Sequence, residues 1–139
     1  MTIRLADIPR CFEGEIPAML ATAAADGTPN LVHLSQVFLV DDERVAISNQ
    51  FFTKTMANLN RNPLASLLVL DPSTMTTYRM LIRYERTETS GPLFESMRRS
   101  IDAIAAMTGM SDVFALRAAE VLRVLELAEV PTPGSAAYE

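Results

Sequence analysis

Five short apolar runs lie between residues 18 and 87, and all but one of the polar breaks between them are too short to hold a helix. A parallel sheet needs a crossover of a dozen or more residues between strands. The spacing therefore predicts antiparallel strands in hairpin succession. The runs cover residues 18–24, 30–40, 44–49, 64–70 and 77–87. Ala25-Asp26-Gly27-Thr28 is a turn signal that joins the first two as a hairpin. Asp41-Asp42-Glu43 and Asp71-Pro72-Ser73 are polar reversals of the same kind. The alternation is clearest over 77–87, with Tyr78, Met80, Ile82 and Tyr84 on one side.

The exception is the break between residues 49 and 64. Met56 and Leu59 stand at helical spacing within 53–60, and Asn62-Pro63 ends that helix. A longer helix follows Gly91-Pro92 over roughly 92–108, with an apolar stripe of Leu93, Met97, Ile101, Ile104 and Ala105 and a stop at Gly109. A last strand spans about 121–129, and residues 130–139 read as a loose tail. The expectation is one α+β domain over 1–139, built on a small six-stranded antiparallel barrel with one short and one long helix. A doubly wound fold is not expected, since the strands do not alternate with helices of crossover length and no Gly-rich fingerprint follows the first strand.

Composition narrows the function classes. A net charge of −5 argues against a nucleic-acid partner, because phosphate backbones need a basic face. No apolar stretch reaches the roughly 18 residues of a membrane span, and no signal-like segment opens the chain, so a cytoplasmic protein is expected. Cys11 is alone, so neither a disulfide framework nor a cysteine metal cage is expected, and His33 as the sole histidine cannot build a His-rich metal site. No Ser-His-Asp order, paired-carboxylate spacing or Walker loop is present.

One segment breaks the local rules. No acidic residue occurs between Glu43 and Asp71 in an otherwise acidic chain, and the window holds Lys54, the only lysine. First turns of helices favour Asp or Glu because their N–H groups and macrodipole are positive. Here Thr53-Lys54-Thr55 opens the helix, just after a polar strand end, Ser48-Asn49-Gln50. Two readings stand side by side. Thr53 caps the helix and Lys54 is solvated, or an anion sits there, bound by backbone N–H groups, the hydroxyls of Thr53, Thr55 and Ser48, and the Lys54 ammonium.

At these residues the chain resembles the pyridoxamine 5′-phosphate oxidase-like family of FMN-binding split barrels. The resemblance runs from Ile16 to about Glu129. It rests on Ala21-Thr22, Asp26-Gly27-Thr28-Pro29-Asn30, Ser48 six residues before Lys54, and Asn58-Leu59 followed by Asn62-Pro63. It implies an antiparallel split β-barrel in which Ser48 and Lys54 hold the FMN phosphate, with Thr53 where many relatives carry arginine. It also implies Asn49 and Gln50 beside the phosphate and ribityl chain, and His33, Ser35, Gln36 and Val37 along the isoalloxazine. A homodimer with the cofactor at the interface is implied too, with Thr77 and Arg79 among the residues offered to the partner. The chain lacks tryptophan and ends without the Arg- and Trp-containing substrate grip of true pyridoxamine phosphate oxidases, so vitamin B6 oxidation is not expected. The expected function is an FMN-dependent oxidoreductase. The alternatives are a non-catalytic flavin-binding or sensory module, or a split barrel that uses deazaflavin or haem.

Overall fold

The computed structural model describes residues 2–50, 52–109 and 115–131. Two short 3-10 turns, Leu5–Asp7 and Pro9–Phe12, precede the sheet. The elements that follow are β1 (Ala18–Ala23), β2 (Pro29–Leu34), β3 (Val37–Leu39) and β4 (Arg44–Asn49), then helix α1 (Lys54–Arg61). β5 (Leu64–Asp71), β6 (Thr76–Glu88), helix α2 (Pro92–Thr108) and β7 (Ala118–Glu129) complete the chain. Every strand pairing is antiparallel, in the order β2-β1-β5-β6-β7-β4-β3.

The expected six strands are seven, because the run 30–40 breaks at Ser35-Gln36. The physical reason lies in Leu34 and Val37, which are both buried in the same core. Residues three apart in an unbroken strand point to opposite faces, so the backbone has to turn between them. β2 and β3 then occupy opposite edges of the sheet. Three Cα–Cα steps reach at most about 11 Å, so the two edges must approach each other at this corner. The sheet is thus curled into a barrel whose edges meet without pairing, which is a split barrel.

Leu20, Val45, Ile47, Leu67, Met80, Ile82 and Leu122 fill the barrel and are almost wholly shielded from solvent. α1 closes one end through Leu59 and through Asn58, whose Nδ2 donates to the Thr22 hydroxyl at 3.0 Å. α2 packs on the outside, where Met97 meets Ala46 of β4 and Ala119 of β7. Alanine at both positions lets the helix approach closely. Met97, Ile101 and Ala105 of the expected stripe are buried and Ile104 is exposed; Gly109 ends the helix with a left-handed φ of 71°.

The other half of the outer surface, across β2-β1-β5-β6, carries no packed helix among the described residues. Leu31 and Leu64 are exposed there, Leu31 by 59%. One register row runs His33, Met19, Leu68, Arg79 across the four strands. The final strand begins at Ala118, three residues before the expected start. Of the expected tail, residues 132–139 lie outside those described, as does Phe51. No helix among the described residues is long and apolar enough to cross a membrane.

Candidate functional site

β4 is pinned at its end, where the Arg117 backbone N–H donates to the Asn49 carbonyl at 2.9 Å. Beyond it the chain bends at Gln50, and the Phe52 backbone N–H donates back to Asn49 Oδ1 at 3.2 Å. That turn delivers Thr53 to the N-cap position of α1. Thr53 makes no side-chain capping bond, and the first turn contains no acid. The opening N–H groups of α1 therefore lack the usual side-chain acceptors.

Thr53 and Lys54 are exposed, whereas Thr55 is only 2% exposed and its hydroxyl accepts from Asn30 Nδ2 at 3.3 Å. The ion pairs among the described residues all use arginine and leave Lys54 out. The Lys54 charge is felt at the β1–β2 turn. The Asp26 carboxyl there is held below its usual range chiefly by the Thr28 backbone N–H, with a smaller pull from the Lys54 charge. An ammonium, a free hydroxyl and uncapped N–H groups at one helix opening are a donor set for an anion, with Thr55 already engaged.

The remaining residues divide among three environments. Ser48 and Asn49 point to opposite faces of β4, Ser48 to the side of Ala46 and α2, Asn49 into the barrel. Ser35 and Gln50 line a cavity of about 90 Å³ with Ile101 and Ile104. Gln50 Oε1 is buried and has no hydrogen-bond partner among the described residues. Gln36 acts as a strut, its Nε2 donating to the Phe12 carbonyl at 2.9 Å. It packs so closely that a Cβ on Gly14, whose φ is 77°, would meet Gln36 Oε1 at 2.8 Å. Val37, 1% exposed, belongs to the barrel core, and His33 stands outward on the edge strand β2. Arg79 shares His33's outer row and Thr77 the same face. The structure thus gathers Thr53, Lys54 and Thr55, sets Ser48 and Asn49 just before them, and holds Ser35 with Gln50 in a second place.

One polar residue escaped the sequence reading. Glu120 of β7 is 1% exposed and points into the barrel opposite Ile47. Its Oε2 accepts from Asn49 Nδ2 at 2.8 Å, and its Oε1 accepts from the Thr87 hydroxyl, which in turn meets the Tyr84 hydroxyl. The signal was an acid flanked by Ala118-Ala119 and Val121-Leu122, a polar residue with apolar neighbours on both faces. Elsewhere, burial pushes the Cys11 thiol up to about 11. No three His, Cys, Asp or Glu side chains gather into a metal site among the described residues.

Known proteins give the chain its fold relatives and its family. A search of curated proteins finds no match to the sequence. Among solved structures, an FMN-binding protein from Syntrophomonas wolfei superposes with a TM-score of 0.73 at 16% identity, over 90% of this chain and 86% of that one. An F420 reductase gives 0.59 at 17% identity, over 85% of this chain and 93% of the other. The heme storage protein HutZ of Vibrio cholerae gives 0.58 at 16% identity, over 92% and 94%. At such identities these likenesses establish the fold alone. The family model described as pyridoxamine 5′-phosphate oxidase matches residues 7–125, and the chain belongs to that family of FMN-binding split barrels.

Proposed function

We propose that this chain binds FMN as a homodimer and serves as a flavin oxidoreductase on a substrate other than a B6 vitamer. The observation that carries the reading is the opening of α1: uncapped, free of acids, and furnished with an exposed ammonium outside every arginine ion pair. The phosphate would be held by Lys54, the Thr53 hydroxyl and the first-turn N–H groups, with Ser48 at the preceding strand end. Family membership supports FMN as the phosphorylated ligand.

The ring needs more than one chain. The cavity beside Ser35 and Gln50 falls well below the roughly 300 Å³ at which ligand pockets begin. The unpaired Gln50 Oε1 is an acceptor suited to a ring N–H. The bare outer face of β2-β1-β5-β6, with Leu31, Leu64, His33 and Arg79, supplies a surface for a second copy that completes the enclosure. When bound, the flavin supplies hydride and electron transfer. The residues of the chain bind, orient and shield it.

A second reading, a deazaflavin or haem split barrel, draws on the fold shared with the F420 reductase and HutZ. Haem is the weaker member, because His33, the sole histidine, stands outward on an edge strand. The visible spectrum of the purified protein decides between them. A two-band flavin spectrum is expected; a Soret band or a deazaflavin band would replace FMN with another cofactor. Turnover of a reduced nicotinamide by the flavin-loaded dimer then separates an enzyme from a non-catalytic flavin-binding or sensory module.

A further inference from the structure

We propose that Glu120 is a positioning residue which, acting through Asn49, sets the turn that presents Thr53 and Lys54 to the anion. The inference rests on the reading of α1's opening as a phosphate site, and deepens it. Glu120 lies inside the barrel on β7, between β4 and β6, in register with Ile47 on one side and Thr87 on the other. Burying a carboxylate is costly unless its oxygens are hydrogen-bonded. Both are: Oε1 by Thr87 and Oε2 by Asn49, at 2.8 Å.

The consequence follows from donor and acceptor chemistry. A carboxylate only accepts, so the Asn49 side chain must turn its Nδ2 toward Glu120. Its Oδ1 is then left facing the other way, toward the turn after β4. There it accepts the Phe52 backbone N–H at 3.2 Å, one residue before Thr53. Asn49 is therefore a link of fixed polarity, donating inward to Glu120 and accepting outward from Phe52. Without an acceptor on the barrel side, the Asn49 amide is free to flip or rotate, and the turn loses the bond that fixes its path to α1. Tyr84 and Thr87 hold the far side of the carboxylate, so the relay is anchored on β6 as well.

The charge itself is not what the relay requires. Glutamine at position 120 can accept from Asn49 with its oxygen and donate to the Thr87 hydroxyl with its nitrogen, which preserves the polarity of the link. Alanine cannot. The test uses the full-length protein and two readouts. In flavin-free protein, hydrogen exchange of the Phe52 amide is followed. In parallel, FMN is titrated by fluorescence quenching. Glu120→Gln should leave both close to wild type. Glu120→Ala should speed Phe52 exchange and weaken FMN binding about tenfold, the effect of one lost hydrogen bond of ordinary strength. Should Glu120→Ala fold poorly, Asn49→Ala, at a partly exposed position, should reproduce both changes. The inference is overturned if Phe52 exchange and FMN affinity match wild type in the alanine variants, or if Glu120→Gln is as damaged as Glu120→Ala. Wild-type protein that takes up no FMN would end the phosphate reading, while Phe52 exchange would still decide whether Glu120 holds the turn.

Discussion

Lys54 should trade stability against ligand binding in opposite directions. Its ammonium stands in the first turn of α1, exposed, with no acid in that turn. A cation at that end opposes the macrodipole by about 0.3–1 kcal/mol. The Asp26 carboxyl across the β1–β2 turn returns a small part of this, since the Lys54 charge is the least of the influences on it. Lys54→Ala should therefore leave the flavin-free protein unharmed or more stable by a few tenths of a kcal/mol, a Tm shift of about 1–2 °C. Lys54→Glu should raise it a little further, its gain trimmed by repulsion from Asp26. The same substitutions remove a charge-assisted bond to the phosphate worth about 1.5–3 kcal/mol, or roughly 10- to 150-fold in Kd. Thermal melts of the flavin-free variants and FMN titrations check the two halves separately. If Lys54→Ala bound FMN as tightly as wild type, or lowered stability by more than about 1 kcal/mol, the ammonium would be structural and the assignment of α1's opening would fail.

Three further outcomes follow. Leu31→Asp puts a charge on the bare face of β2, so light scattering should show a monomer that binds FMN poorly; an unchanged dimer would move the interface elsewhere. Thr22→Val leaves the buried Asn58 Nδ2 without its acceptor and should cost about 1–3 kcal/mol, read as a lower urea midpoint at unchanged m-value and fixed protein concentration. Cys11 should resist alkylation at pH 8 until the protein unfolds. Its folded pKa of about 11 exceeds the ordinary 9.0, so its contribution to stability is full below pH 9 and is lost as pH rises toward 11. Cys11→Ala should remove that part of the alkaline slope in a pH series of denaturation curves.

Much of the architecture was legible because alternation reports burial on one side of a strand. Met80 and Ile82 behave as the pattern requires, and so do the hairpin at Asp26-Gly27 and the stop at Gly109. What failed to show were places where two surfaces act on one strand. Residues 30–40 look continuous because apolar residues lie on both sides of Ser35-Gln36 and no Gly or Pro marks a turn there; the shared burial of Leu34 and Val37 forces the break. That break also decides the fate of two expected ring-lining residues, since it sends Val37 into the core and commits Gln36 to bracing Phe12. The start of β7 was hidden for a related reason. Ala118 and Ala119 are poor strand formers, chosen here by the close approach of α2 on one face and the barrel on the other.

The candidate site was legible in its outer parts and not in its support. Lys54, Thr53 and Ser48 stand out by charge and position along the chain, because a cation in a first turn without acids breaks a local preference; that they hold an anion is the proposal. Glu120 breaks a preference too, but its partners Asn49 and Thr87 lie 71 and 33 residues away, and nothing in the sequence brings them together. Only the register of β4, β7 and β6 does so. Binding groups on a surface can act alone. A buried acid cannot, so its meaning resides in the pairing of strands, and it becomes readable only once β4, β7 and β6 lie in register.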